Sequence, residues 1–404
     1  MDTIIDYRGK TPNKTSFGIP LITAKIVKDG KILTPNEFID PNDYDEWMRR
    51  GLPEKGDIVL TTEAPLGEVA QLDGRKVALA QRIITLRGKK GYLFNTFLKY
   101  ALIFAPTQDA LHGRASGTTV TGIKQSELRK IVIPIPEYDV QKAIAHILGT
   151  LDDKIELNRR MNETLESIAR AIFKSWFIDF DPVRAKAETR QPEGMDTATA
   201  ALFPSEFETV EGQKIPKGWK IKSLDKMFKI VMGQSPPSST YNEINEGVPF
   251  FQGKTDFGFR YPTVRVFCTA PTRFANPGDT LLSLRAPVGD VNISLVHSSI
   301  GRGIAALRHE SSSRSFTYYA LKSLYHEFIQ YDSNGTVFGC LTKDSFKSLS
   351  FIQPPNELIN LFEKTVSSLD SKIESNENSI LLLSSIQYLR MNLKHPLETK
   401  LFLL

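Results

Sequence analysis

Apolar residues in the second quarter of the chain recur at alternating spacings of four and three. They are Ile144, Leu148, Leu151, Ile155, Leu165, Ala169, Ile172 and Trp176, with Asn158 and Asn162 filling the same series. That spacing is the seam of a coiled coil. From about Asp139 to Phe177 there is no proline and a single glycine, so the pattern predicts one helix of roughly 60 Å. A second seam follows Pro355: Phe362, Val366, Leu369, Ile373, Asn376, Ile380 and Leu383. A polar residue in an apolar seam fixes register at some cost in stability. Asn158 and Asn376 stand at the same point of the two patterns. Seams this long need a partner to bury them, and each is the matching partner of the other.

The pattern ahead of each seam is shorter and mixed. Gly56-Asp57-Ile58-Val59-Leu60 and Gly278-Asp279-Thr280-Leu281-Leu282 read as a turn followed by a strand. Val77 to Leu86 and Ile300 to Leu307 are apolar runs that fit buried strands, and Leu93 to Phe104 and Phe316 to Phe328 fit amphipathic helices. Ile131 to Pro136 reads as a last strand stopped by prolines.

These elements come in pairs because the chain repeats itself. Leu151-Asp152-Asp153-Lys154-Ile155-Glu156 returns as Leu369-Asp370-Ser371-Lys372-Ile373-Glu374, an offset of 218 that also pairs Gly117-Thr118 with Gly335-Thr336. Upstream, Ala64-Pro65-Leu66-Gly67 pairs with Ala286-Pro287-Val288-Gly289 at 222, Gly18 to Leu21 with Gly247 to Phe250 at 229, and Gly9 to Pro12 with Gly233 to Pro236 at 224. The matched residues set turns and cores. The filling between them, such as Lys28 to Trp47 against Asp256 to Arg273, differs. One fold reading two different targets gives this pattern; so does a duplicated scaffold whose loops have drifted. The second copy has Ile215 to Met232 ahead of its Gly233 element, whereas only eight residues precede Gly9. Truncation, an internal start, or completion of the first domain by the C-terminus each account for the difference.

Composition narrows the picture. The 404 residues are 41% hydrophobic and 24% charged, as in an ordinary globular protein long enough for two or three domains. The formal charge of +5 suits a nucleic-acid partner without requiring one. Cys268 and Cys340 are too few for a zinc cluster or a disulfide framework. The N-terminus has no signal core, and no apolar stretch approaches a bilayer span, so a cytoplasmic location is expected.

Catalytic motifs fail on inspection. A phosphate-binding loop ending in Gly253-Lys254-Thr255 needs a glycine where Val248 stands, and one ending in Gly9-Lys10-Thr11 needs it at Ile4. An adenine methyltransferase follows a Pro-Pro pair with an aromatic residue that stacks on the flipped base; here Ser238 and Asn356 follow. The six histidines are scattered without metal spacing.

Two divergent units, each followed by a similar long helix and neither with a catalytic motif, resemble the specificity subunits of type I restriction–modification enzymes. The resemblance covers nearly the whole chain. It rests on the repeat, on Gly-Asp…Ala-Pro-x-Gly around 57–67 and 279–289, and on Leu-Asp-x-Lys-Ile-Glu at 151 and 369. It implies an α+β fold: two tandem mixed α/β target-recognition domains separated by long helices packed as an antiparallel coiled coil. The boundaries expected are 1–136 for the first domain, 137–184 for its helix, 185–203 for a flexible linker, 204–355 for the second domain and 356–404 for the second helix. It also implies that each domain reads half of a split double-stranded DNA site and that the helices set the unread gap. Two modification subunits would methylate adenine with S-adenosylmethionine, and restriction subunits would use ATP and magnesium; this chain would bind none of these cofactors and no metal. A non-catalytic protein-interaction scaffold and an unrecognised nuclease are the rival readings.

Base readers need donors and acceptors on loops, and phosphate contacts need cations, hydroxyls or backbone amides. Three places meet this in both copies: Arg8, Lys10 and Thr11 with Gln234 and Ser235; Gln81 and Arg82 with Arg302; and Arg114, Ser116, Thr118 and Thr119 with Asn334 and Thr336. In the differing segments, Lys25, Lys28, Lys254 and Arg260 are candidates for base readout. Each group could equally be a solvated polar turn. The isolated chain, incubated with DNA, labelled methyl donor, magnesium and ATP, is expected to show neither methyl transfer nor cleavage; activity that survives rigorous purification would refute the non-catalytic reading.

Overall fold

The computed structural model describes residues 1–9, 11–117, 120–331, 339–392 and 400–403. The chain divides into two compact units, one made of Met1–Arg159 with Glu377–Leu404, the other of Arg160–Asn376. The expected split into globular and helical segments is therefore redrawn, because each unit combines a globular part with a portion of both long helices.

Both units are built on the same four-stranded antiparallel sheet. In the first, the order is Thr3–Asp6, Ile83–Arg87, Ile58–Thr62, Leu66–Gln71; in the second it is Phe228–Met232, Ile304–His309, Thr280–Leu284, Val288–Ile293. The central strands Ile58–Thr62 and Thr280–Leu284 are buried at every position, which explains continuous apolar runs where a half-exposed strand would alternate. A bulge falls at the same place in each, between Leu60 and Thr62 and between Leu282 and Leu284. There the Thr61 hydroxyl accepts from the Glu68 amide (2.9 Å) and the Ser283 hydroxyl from the Asp290 amide (2.8 Å). The hairpin turns on Ala64-Pro65 or Ala286-Pro287, with a cis peptide bond and a left-handed alanine in both. A paired arginine and aspartate close the sheet: Arg87 grips both carboxylate oxygens of Asp57 at 2.7 Å, and Arg308 holds Asp279 at 2.5 Å.

The runs expected as single strands, Val77 to Leu86 and Ile300 to Leu307, are not single. Ala78–Leu79 pairs parallel with Ile19–Ile22 in a small second sheet, and the chain then turns before Ile83–Arg87 enters the central sheet. Likewise Ser298–Ile300 pairs with Val248–Phe251 before Ile304–His309 begins. Of the expected amphipathic helices, the first holds and the second breaks. In the first unit Asn95–Ile103 ends where expected and a further helix, Ala105–Gly113, follows, because Pro106 has no amide to continue the ladder; the Gln108 side chain donates instead to the Leu102 carbonyl (2.7 Å). In the second, Arg314–Ser323 is separated from Tyr325–Ile329 at Leu324.

The long helices are Tyr138–Phe177 and Asn356–Asn392. Ile155, Ala169, Trp176, Phe362, Val366 and Ile373 of the seams are buried. The helices run antiparallel. In the second unit Asn376 donates to Asn162 (2.8 Å), and Glu166 and Asp370 hold the same arginine; in the first, Gln387 donates to Asp152 (2.8 Å). The seam asparagines thus behave unequally: Asn376 is satisfied, while the Asn158 amide nitrogen is buried without a hydrogen-bond partner among the described residues.

The polar stretch 185–203 is more ordered than a flexible linker. Asp181–Ala187 and Thr197–Ala201 are helical, the latter capped by Asp196. Lys186 donates to the Ala200 carbonyl, and Phe203 is buried in the core of the second unit. Order here comes from a few anchors and leaves no periodic trace. At the chain's end, Lys400–Leu403 pairs with Val132–Ile135 as Lys220–Ser223 pairs with Ser350–Gln353 in the second unit. The C-terminus therefore occupies the position that a leading strand holds in the other copy.

An aromatic cluster centres the second unit. Phe173 of the first long helix is buried and packs against Phe177 (5.1 Å between ring centroids), Phe362 (5.5 Å) and Phe316 (5.7 Å). Phe173→Ala should cost about 3–5 kcal/mol, and Leu157→Ala, at an exposed helix position, less than about 0.5 kcal/mol. Chemical denaturation of both variants checks this, and equal losses would contradict the packing described.

Candidate nucleic-acid interface

The break between the two sheets is what presents the candidate residues. An apolar run cannot serve two sheets without a turn, and that turn is Gln81-Arg82 in the first unit and Gly301-Arg302-Gly303 in the second. Arg82 takes a left-handed conformation (φ 70°), and both arginines are exposed.

In the first unit the turn lines a cleft of about 280 Å³ together with Thr11, Lys25, Lys14 and Glu37. Four sequence candidates, Thr11, Lys25, Gln81 and Arg82, thus converge from three separated segments. In the second unit the Gly233 loop lies against the turn so closely that a Cβ on Gly233 would fall 2.2 Å from the Gly301 carbonyl oxygen. The Gln234 amide donates to the Ile300 carbonyl (3.0 Å), and the Arg302 amide donates to the Ser235 hydroxyl (3.2 Å). Gln234, Ser235 and Arg302 are thus neighbours, as the pairing of the two copies implied.

Charge is arranged differently at the two turns. Arg82 is paired with Glu63 (2.8 Å). Glu63 is the residue before Ala64-Pro65; the corresponding residue in the second copy is Arg285, whose guanidinium donates to the Arg302 carbonyl (2.8 Å). Arg285 was missed in the sequence, although the charge reversal just ahead of each Ala-Pro is legible in the repeat. Lys254, which aligns with Lys25, is paired with Asp290 (2.5 Å). Lys25 and Arg302 make no ion pair among the described residues. Of the helix lysine and the turn arginine, each unit therefore leaves one open and holds the other with a carboxylate.

The other candidates are placed less favourably. Arg8 is spent on structure: it grips Asp6 (2.6 Å) and donates to the Ile123 carbonyl (2.9 Å). Arg114 lies 3.5 Å from Glu127. Ser116 exchanges backbone hydrogen bonds with Gly122 at 2.9 and 3.0 Å, closing the loop between them. Lys28 is exposed on the hairpin Val27–Lys28 and Lys31–Ile32. Lys10, Thr118, Thr119, Asn334 and Thr336 lie outside the described residues.

Arg260 is a correction. Expected to read bases, it is 0% exposed, with its guanidinium between Glu166 and Asp370 and over the rings of Tyr318 (4.7 Å) and Tyr319 (5.4 Å). Burial lowers its pKa, but the surrounding tyrosines, Asp370 and Glu166 outweigh that and raise it, so the group stays charged. Its counterpart in the first unit is the group around Asp152. Lys99 (2.6 Å), the Tyr100 hydroxyl (2.8 Å) and Gln387 all donate to that carboxylate. Burial there raises the carboxyl's pKa, and the Lys99 charge with these hydrogen bonds more than reverses the effect.

Among the described residues no group of three His, Cys, Asp or Glu is placed to hold a metal ion, and no helix is long and apolar enough to cross a membrane. Two similar units, each carrying hydroxyls, amides and cations on an inter-sheet turn, define a duplicated α/β module. The family model for the type I restriction modification DNA specificity domain matches residues 9–167 and again 216–383. The chain belongs to this family and carries two copies of its domain. It is 30% identical over 374 residues to a protein of Methanocaldococcus jannaschii named as the type I restriction enzyme MjaX specificity subunit, covering 90% of this chain and 83% of that one. To the HindI specificity subunit of Haemophilus influenzae it is 29% identical over 314 residues, 64% of this chain and 67% of the other. The solved S subunit of a type I system from M. genitalium shares the fold, with a TM-score of 0.53 at 16% identity over 98% of this chain and 96% of that one. Members of the family are recognition components, and this chain is a non-catalytic specificity subunit.

Proposed function

We propose that each unit holds one half of a bipartite duplex DNA site, and that partner subunits methylate adenine there with S-adenosylmethionine. Two modification subunits, joined by restriction subunits that use ATP and magnesium, are the complex this reading supposes; the chain itself contributes recognition. The observation that carries it is the division between what the copies share and what they do not. Lys25 and Lys254 share a position, and Arg82 and Arg302 stand one register apart on the same inter-sheet turn, Arg82 opposite Gly303 and Arg302 opposite Gln81. Cations common to two modules with different targets suit the phosphate backbone, which is the same everywhere. Positions that differ, Gln81 against Arg302 and the segment around Lys28, suit base edges. The carboxylates on Arg82 and Lys254 are ones that a phosphate would displace, since exposed ion pairs of this kind are weak. A protein-binding scaffold would not need matched cations beside divergent loops.

Mapping methylated adenines in the source genome with and without this gene tests the reading. A split motif that disappears with the gene supports it; an unchanged methylation pattern refutes it. Titration of the full chain with duplex DNA at increasing salt gives a second check. Lys25→Ala and Arg302→Ala should each weaken binding to all sequences alike and reduce the log–log salt slope by about 1. Glu63→Gln, which releases Arg82, should tighten binding at low salt. Slopes unchanged in both alanine variants would remove these residues from the phosphate contacts.

A further inference from the structure

Beyond the candidate contacts, each unit ties its divergent segment to the long helices through one cation. In the first unit the segment passes from the short helix Ala24–Ile26, which bears Lys25, into the hairpin Val27–Lys28 and Lys31–Ile32. Lys31 at the hairpin tip pairs with Glu156 of the first long helix. In the second unit the segment passes from Lys254–Asp256 into a narrower hairpin, where Phe257 bridges Pro262 and the Gly258 amide donates to the Tyr261 carbonyl (3.1 Å). Arg260 at that tip pairs with Glu166 and Asp370, one from each long helix. The adjacent Tyr261 hydroxyl accepts from Arg314 (2.7 Å), which also reaches Glu374 (2.9 Å). Glu374 is the repeat partner of Glu156.

We propose that Arg260 and Lys31 are positioning residues for DNA readout, clamping the reading segment of each unit to the helices at the tip of its hairpin. The inference rests on the reading of the units as DNA half-site readers. Its physical basis is that Arg260 supplies this segment's link to the long helices, whereas its other anchors, the Lys254–Asp290 ion pair and the Gly258–Asn292 hydrogen bonds (3.1 and 3.2 Å), run to the strand Val288–Ile293. The segment is held at one end by Asp256, which accepts from the Gln252 amide (2.7 Å), and at the other by Arg260, whose carbonyl accepts from the Ile293 amide (2.8 Å). A planar guanidinium with two carboxylates and two aromatic faces around it allows one orientation, so the tip is fixed in angle as well as in place. The charges balance: Lys322 also pairs with Glu166, giving two cations to two carboxylates. Lys31 makes the looser clamp, a single ion pair in which both side chains are about one-third exposed (34% and 33%). The half-site read by the first unit should therefore be the more salt-sensitive of the two in its discrimination.

Removing Arg260 alone leaves the buried Asp370 without its cation, while Glu166 keeps Lys322, so the test pairs it with a matching loss. The variants are Arg260→Gln with Asp370→Asn, which keeps the charge balanced, and Lys31→Gln, at a partly exposed site that unfolding should not complicate. Two measurements are made on the full chain. Amide hydrogen exchange, without DNA, should show lost protection over 252–263 in the first variant and over 24–33 in the second, with 280–284, 304–309, 58–62 and 83–87 unchanged. Selection from a randomised duplex library should show about tenfold weaker discrimination in one half of the motif only, a different half for each variant. Unchanged exchange in the named segments overturns the clamp, as does equal relaxation of both halves or unaltered discrimination. If the unsubstituted chain selects no split motif, the half-site reading itself has failed, and hydrogen exchange still decides whether the cations clamp these segments.

Discussion

One apolar run serving two sheets is the constraint on which each unit is built. The chain must leave the small sheet and enter the central one within a few residues, so the turn at 80–82 or 301–303 has to break the strand at the edge of the core. A left-handed arginine accomplishes this in one unit and a pair of glycines around an arginine in the other. Either way a cation is lifted out of a buried strand, with rigid sheet on both sides. The groups around it, from the Thr11 and Gly233 loops and from the Lys25 and Lys254 helices, are placed by the same parallel pairing that forced the turn. The placement of these candidate groups thus follows from strand connectivity, with no need for a dedicated loop.

What could be read beforehand followed from where the physics is periodic or duplicated. The helix seams were legible because burial on a helix imposes spacings of three and four; the first long helix and the start of the second were foreseen within a residue or two, but the second, expected to run to 404, ends at Asn392, and Lys400–Leu403 is a strand. The Ala-Pro hairpins and the Asp57 and Asp279 turns were legible because two copies had kept them. The split of Val77 to Leu86 was not, since a buried apolar run looks the same in one sheet or two. The order within 185–203 was hidden as well, resting on Lys186, Asp196 and Phe203 singly. Arg260 was misjudged for a related reason: a cation in a divergent segment suggests a ligand, and nothing local reveals that Glu166 and Asp370, each about a hundred residues away, meet it in the fold.

The two copies also show how a duplicated plan tolerates unequal chemistry. Where the second unit has a fully buried arginine, the first has lysines at a half-open site; where the first has Glu63, the second has Arg285. The framework of sheet, bulge and paired Asp–Arg absorbs these exchanges because none touches its buried strands. The seam asparagines are a similar case. Asn162 meets Asn376, whereas Asn158, which aligns with Asn376, keeps an unmatched amide. Its residue in the matching place to Asn162 is Ile380, so the second copy never acquired the other half of the pair.

The first unit is assembled from both ends of the chain, Met1–Arg159 and Glu377–Leu404, and the second from an uninterrupted stretch between them. During synthesis the order of completion is then the reverse of the order of translation. The middle unit has all its residues as soon as Asn376 has emerged, while the earlier-made sheet and its helix wait with an uncovered apolar seam for the last 28 residues of the chain. Contacts as distant in sequence as Asp152 with Gln387, 235 residues apart, are slow to form, and surface left bare in the interval is open to wrong partners. A chain organised in this way makes the ribosome's progress, and any helper that shields the waiting half, part of how it reaches its native state.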